Sequence, residues 1–540
     1  MNHKQPELKL IYAVVLLVFA VFLLGPMAVL LQRAFHLDTG WGLAHFSSML
    51  HNPSFIQAFK NSLVVSISTA FLATFLAFIV AYAVNMTHIP KWLKKTLYML
   101  AQFPMLLPTI TYGFVIIYTF GKQGLLTQII GVQIFSDIYG FKGLLLGYTL
   151  YTLPICFILI NNTFRYLDKK FVVVSIVMQD SAWRRCRTTL LRPLLGTFAA
   201  ALIQAFFLSF TDYGIPASVG GRFEVVATHL YQEMLGVNPS FERGAVIALF
   251  MLAPSLISIA LLQYLERYNI RYQKVSQLEL PRSPVQDWLF GGLATLIVTA
   301  MMAIFLVMFI APMTENWPYI LRFNAFALKD VLTSHTMMTV YQNALWVALA
   351  TAVLGTILAF GAALTTARSG MAQSLKTIME ALILITSSVP GMVLGIAFLL
   401  IFAGTSLHNT LMIIVLCNIV HFFSTPYLMA KNALGKMNHN WESTAALMGD
   451  RWLQTIWRIL LPNAKTTLAH MFTYFFINAM VTVSAVIFIT GARTMVITTK
   501  IKELQHFAKF DEIFILSIFI LLTNLALLAI MKASSKLSTR

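Results

Sequence analysis

The chain has 540 residues, 58% of them hydrophobic and only 11% charged, less than half of the ~25% charged share usual in soluble domains. That much apolar surface has no place in a water-soluble fold of this length, so the composition excludes disorder, a disulfide scaffold and an ordinary soluble enzyme. The net charge of +18 would suggest a nucleic-acid partner in a soluble protein; here it is accounted for by loops, because Lys and Arg collect on the cytoplasmic side of membrane proteins, and no nucleic acid is expected.

The first apolar run, Leu10–Leu31, is too long for a signal-peptide core and no small-x-small cleavage site follows it, which predicts a retained span. Further apolar runs begin near residues 61, 97, 142, 190, 244, 288, 341, 377, 409, 463 and 513. At ~20 residues per span they predict an all-α polytopic membrane protein with about 12 transmembrane helices. With the N-terminus inside, about two-thirds of the 38 Lys and Arg fall in loops on that side, so both termini are expected in the cytoplasm.

The second and eighth runs are copies of one another. Phe59–Phe78 and Tyr341–Phe360 match without a gap at Asn61/Asn343, Leu63/Leu345, Val65/Val347, Thr69/Thr351, Ala70/Ala352, Leu72/Leu354 and Thr74/Thr356, and both close on Leu-Ala-Phe. The register persists through Lys94/Lys376, Pro108/Pro390 and Gly113/Gly395, and a slightly shorter spacing continues it through Trp183/Trp452 and Phe241/Phe510. Six spans per half is an even number, so the halves share one orientation and predict two parallel six-helix repeats around a central pathway. The expected division is 1–270 for the first half, 271–286 for a basic cytoplasmic linker and 287–540 for the second half.

Each half carries one extended cytoplasmic segment between its fourth and fifth spans, Val174–Pro193 and Ser443–Pro462. Aligning Trp183 with Trp452 and Pro193 with Pro462 sets Asp180 opposite Gly449. Both segments are partly apolar and basic, which predicts an amphipathic helix along the membrane face that stops before the proline. Lipid anchoring of Trp183 and Trp452 is the other reading of these residues.

These segments resemble the cytoplasmic loop of permeases in binding-protein-dependent ABC importers. The family pattern is Glu-Ala-Ala, three residues, Gly, nine residues, a branched apolar residue, one residue, Leu-Pro. Gly449, Ile459, Leu461 and Pro462 fall at that spacing, while Ser443 and Thr444 depart from it and Ala445 keeps it. The first copy keeps Pro193 but has Val174-Ser175-Ile176 in place of Glu-Ala-Ala. The fused two-half layout, with Phe207–Gly221 and Met480–Phe488 after the loops, is similar to the ferric-iron, thiamine and aminoethylphosphonate permease group. The resemblance implies the type I ABC importer permease fold and a bacterial inner-membrane location. It implies docking of ATPase subunits, two copies expected, through Asp180, Ser181, Ala182, Trp183, Arg184, Arg185 and Pro193 in one half and Gly449, Asp450, Arg451, Trp452 and Pro462 in the other. It also implies a separate solute-binding protein on the outer face, and a solute path for which Asp212, Thr482 and Ser484 are candidates.

The chain's own chemistry is sparse. Its three cysteines, Cys156, Cys186 and Cys417, form no CxxC pair, and its twelve histidines include no HxxxH, so no metal site is expected. Gly121-Lys122 and Gly435-Lys436 lack the upstream glycine and the following Ser or Thr of a phosphate-binding loop, so ATP would be used by a partner and no cofactor is expected here. Not an enzyme but a transporter is the reading. The alternative is an ion-coupled secondary transporter, which would keep carboxylates at mid-membrane; Glu380 and Asp212 instead fall towards span ends. The transported solute, whether ferric iron, thiamine, aminoethylphosphonate, polyamine or another, is not legible in these residues.

Overall fold

The computed structural model describes residues 6–37, 40–164, 166–266, 282–438 and 440–538. The linker expected at 271–286 falls largely outside the described residues. Among these, the chain is helical apart from two short antiparallel hairpins, His36–Leu37 with Gly40–Trp41 and Thr314–Asn316 with Ile320–Phe323. Each hairpin follows the first helix of its half.

Every one of the predicted apolar runs is a helix or a pair of helices, but fewer than twelve are unbroken spans. Eight are long and apolar enough to cross a membrane: Pro6–Phe35, Pro53–Met86, Phe141–Phe164, Trp183–Thr211, Phe241–Leu262, Pro284–Met313, His335–Ala367 and Phe510–Ser534. A bent pair, Leu411–His421 with Ser424–Lys436 at 54°, makes a ninth. The rest are interrupted or short. Pro104 and Pro108 split the third run into Lys91–Leu100 and Thr109–Phe120, and Pro390 splits the ninth into Gln373–Ile385 and Gly391–Phe402, since proline offers no amide to continue the ladder. The eleventh, Lys465–Val481, has 17 residues.

The repeat is structural as well as sequential. Helix starts at Pro53, Lys91 and Thr109 recur at His335, Gln373 and Gly391, the same offset as the matched sequences. Asn52 caps the one long helix by accepting from Ser54 N (3.0 Å), and Ser334 caps the other by accepting from Met337 N (3.4 Å). Asn61, the residue that opens the matched stretch, donates to Glu224 O (2.8 Å); Asn343 donates to Met495 O (3.1 Å). Both asparagines tie the second helix of a half to the loop that precedes its penultimate helix, Val226–Leu235 or Ile497–His506.

Side-chain size, rather than polarity, separates the inner and outer faces of these helices. In Pro53–Met86 the buried positions include Ser62, Ser66, Thr69, Ala70, Ala73 and Ala77, while Val64, Ile67, Phe71 and Phe75 are exposed. In His335–Ala367, Ala344, Ala348, Thr351, Ala352 and Gly355 face inward, and Trp346, Leu349 and Ile357 face out. Lipid is as apolar as leucine, so small residues that bring backbones together carry the association.

The halves interlock through their first helices. Pro6–Phe35 packs on the second half: Tyr12 donates to Leu375 O (3.1 Å) and Phe22 stacks on Phe398 and Phe402. Pro284–Ile310 packs on the first half: Phe290 meets Tyr82 with ring centres 4.2 Å apart, and Asp287 accepts from His88 N (2.7 Å).

Gly113 and Gly395 occupy matched close approaches. A Cβ on Gly113 would lie 1.9 Å from Ser218 Oγ and 2.7 Å from its Cβ; one on Gly395 would lie 2.5 Å from the Ala485 carbonyl oxygen. Overpacking of this kind costs about 1–3 kcal/mol. Gly113→Ala is expected to lower the thermal midpoint of the detergent-purified protein and Ser218→Gly to restore it, whereas Gly395→Ala, which meets backbone, has no such rescue.

Candidate coupling sites

Each cytoplasm-predicted segment folds as a helix, a tight turn and a second helix that passes its proline, running into the span Trp183–Thr211 in the first half and to Asn463, one residue short of Lys465–Val481, in the second. In the first half, Lys170–Val177 ends at Met178, Gln179 takes a left-handed conformation (φ 54°), and Ser181 caps Ala182–Cys186 by accepting from Arg184 N (3.3 Å). In the second, Asn440–Leu447 ends at Met448, Gly449 is left-handed (φ 86°), and Arg451 precedes Trp452–Thr455. The turns close identically: Met178 N and Asp180 N donate to Val174 O and Ser175 O, Met448 N and Asp450 N to Thr444 O and Ala445 O.

Two expectations are corrected by this geometry. Gln179, not Asp180, is the counterpart of Gly449; Asp180 matches Asp450. Alignment on the tryptophans slipped by one because the helix after the turn has five residues in the first half and four in the second. Nor does the second helix stop before the proline. A π-turn, Arg187–Leu191 or Ile456–Leu460, sits directly ahead of Pro193 and Pro462, with Arg192 N and Leu461 N reaching back five residues to Arg187 O and Ile456 O. The wider turn moves the backbone past the proline ring, so the helix continues. Gly25-Pro26 in the first span uses the same device after a π-turn at Ala20–Leu24.

The two aspartates brace their hairpins. Asp180 accepts from Ser175 Oγ (2.8 Å) and pairs with Arg184 (3.3 Å), while Arg185 donates to Asp180 O (3.1 Å). Asp450 pairs with Arg458 (3.0 Å). Both arginines are largely exposed, so each pair is worth at most about 1 kcal/mol and orients the turn more than it stabilises it.

The most exposed apolar side chains of the segments are ones the sequence reading did not single out. Val177 and Met178 are 75% and 71% exposed, Leu447 and Met448 85% and 80%. They stand side by side just before the turn in both copies, at the same register, and that repeated apolar-Met pair was the available signal. Trp183 is exposed and Trp452 half-buried; Pro193 is buried and Pro462 exposed. Trp457 is exposed beside Leu453, and Ile456 is buried. Adjacent exposed apolar groups at matched turns are candidates for a contact surface, and methionine adapts to irregular partners.

The pathway candidates lie at the other end of the bundle. Asp212 ends helix Arg192–Thr211 and turns its carboxylate back to Ile215 N (2.9 Å), capping the short helix Gly214–Val219. Thr482 holds the same position after Lys465–Val481, and both Thr482 and Ser484 are half-buried. Among the described residues no hydrogen bond joins Asp212 to either. Tyr151 is within electrostatic reach of Asp212 and of Tyr474 in the other half. Beyond them, Lys502 lies 6.0 and 5.9 Å from the ring centres of Tyr213 and Tyr231, and Gln505 donates to Ala217 O (2.7 Å), closing one half on the other. Burial brings the Lys502 ammonium down to about 8.

Residues 73–271 and 353–539 both match one family, described as the binding-protein-dependent transport system inner membrane component. The chain is 24% identical over 509 residues to the ferric transport system permease protein FbpB of Actinobacillus pleuropneumoniae, covering 91% of this chain and 72% of that protein. It is 24% identical over 503 residues to a ferric transport system permease protein FbpB of Haemophilus influenzae, covering 89% and 78%. A spermidine/putrescine transport system permease PotC homolog of Mycoplasma pneumoniae is 23% identical over 220 residues, 40% of this chain and 72% of its own length. With the family matched twice and the duplicated helices repeating the same contacts, the chain belongs to the binding-protein-dependent permeases: it is a fused two-half permease of an ABC importer.

Proposed function

We propose that this permease carries ferric iron across the bacterial inner membrane, drawing on two separate ATPase subunits at its coupling segments and a solute-binding protein on the opposite face. The single observation that carries the reading is the pair of ferric-permease matches, which span about nine-tenths of the chain and about three-quarters of those proteins. The docking part rests on the exposed Val177-Met178 and Leu447-Met448 pairs at equivalent turns. The chain contributes the path and the docks and catalyses nothing itself; ATP is bound and hydrolysed by the partners. One half is assigned to 1–270 and the other to 287–540.

Three outcomes test this. Purified alone, the chain should show no ATPase activity; in proteoliposomes with its ATPase and binding protein it should take up ferric iron only when ATP is supplied. Uptake driven by an ion gradient without either partner would establish the secondary-transporter reading instead. Both termini and both segments belong in the cytoplasm, so a reporter active only in the periplasm should stay silent when fused at the C-terminus or within Met437–Glu442.

Gly449 offers the sharper test. Nothing lies within 4 Å of where its Cβ would be, so its requirement is the left-handed backbone rather than space. Leaving that region costs a non-glycine residue roughly 1 kcal/mol, more if β-branched. Gly449→Val should reduce uptake and ATPase co-purification several-fold, Gly449→Asn should not, and Gln179→Gly should be neutral or stabilising. Parental behaviour of Gly449→Val in both assays would remove the coupling role of this turn.

A further inference from the structure

The second coupling segment is fastened to the bundle by a buried ion pair whose two positions carry apolar residues in the first half. Arg368 ends helix His335–Ala367, and its side chain is wholly buried. It pairs with Glu442 in the first turn of Asn440–Leu447 at 3.1 Å, and Glu442 is itself 15% exposed. The same guanidinium donates to Leu434 O and to Met437 O (2.7 Å), at the end of Ser424–Lys436. One side chain therefore joins three elements: the eighth span, the tenth span and the first helix of the coupling segment.

The repeat shows what stands there in the other half. Lys94 donates to Thr87 O as Lys376 donates to Ser369 O, which sets Met86 opposite Arg368. The matched turns at Gln179 and Gly449 set Val172 opposite Glu442. Met86 and Val172 are both buried and apolar. The two matched positions thus carry an ion pair in one half and two buried apolar side chains in the other, and both members of the pair differ together.

A buried ion pair is a poor way to gain stability, since an apolar pair of similar volume is often as good or better. What it adds is direction. A guanidinium held by a carboxylate and two carbonyls fixes an orientation, whereas apolar contact is non-directional and tolerates sliding. We propose that Arg368 is a positioning residue that makes the second coupling segment move as one body with the eighth and tenth spans, so that this segment transmits the ATPase stroke while the first, with Met86 and Val172 at the matched positions, acts as a compliant dock. This rests on the docking reading of the two segments.

The test compares the parent with Glu442→Gln, Arg368→Lys and the graft Arg368→Met/Glu442→Val, which installs the first half's two residues and so avoids a lone buried charge. Each complex, with ATPase and binding protein, is assayed in proteoliposomes for ATPase retention and for solute taken up per ATP hydrolysed. The graft and Glu442→Gln should retain the ATPase and hydrolyse ATP, yet lose about tenfold in uptake per ATP, within the usual range of a coupling free energy. Arg368→Lys should fall between, keeping charge but not the forked donors. Parental uptake per ATP in the graft would overturn the proposal, as would loss of the ATPase from both the graft and Glu442→Gln, which would make the pair part of the dock alone. Cysteines placed at Met178 and Met448 of a Cys186→Ser parent report on the underlying reading separately: if neither cross-links to the ATPase, the segments are not docks and Arg368 has nothing to transmit.

Discussion

In hydrocarbon an unpaired backbone amide or carbonyl costs several kcal/mol, and every departure from regular helix in this molecule is arranged around that constraint. The third and ninth runs break at Pro104, Pro108 and Pro390, but the broken ends sit inside the protein, where Tyr112 donates to Pro104 O and Asn524 to Leu106 O. The break after the fifth span is met by Asp212, whose carboxylate takes up the amide at the start of Gly214–Val219. Asp212 and Asn524 are repairs of this kind, and this is why Asp212 reads more readily as a cap than as a coupling group.

The same constraint bears on the join between each candidate coupling segment and the helix that follows it, where a proline stands in both halves. A π-turn one residue ahead of each proline carries the ladder through. In the first half the helix after the turn runs on to Thr211, and in the second it passes Pro462 to Asn463, with Ala464 alone between it and Lys465–Val481.

Much of this was legible in the sequence, and for identifiable reasons. Asn61 and Asn343 stood out as matched openings because the side-chain amide of each donates to loop carbonyls, a contact that no apolar residue supplies. Helix starts followed the repeat because caps and prolines set them. Gln179 was not legible, since a left-handed glutamine carries no compositional mark, and the matched tryptophans pulled the alignment one residue away from it. The true number of unbroken spans was hidden because periodicity counts apolar runs and does not see where a proline divides one. The exchange of first helices was also hidden. When lipid and protein interior are equally apolar, hydropathy cannot say which helix faces which, and only the size difference between Ala77 and Phe75 separates the faces.

That exchange bears on how the chain comes into being. Tyr12 donates to the carbonyl of Leu375, a partner 363 residues further along. At roughly 5–20 residues per second of synthesis, the first helix stays in the bilayer for on the order of 20–70 s before its binding surface exists. During that interval Leu8, Val15 and Phe19, buried in the finished molecule, face lipid or transient neighbours. Lipid tolerates such apolar faces at little cost, so the wait is harmless to the helix, but the first six spans cannot reach their final packing as a unit. Joining both halves in one polypeptide guarantees that the awaited surface arrives in the same membrane and in equal number.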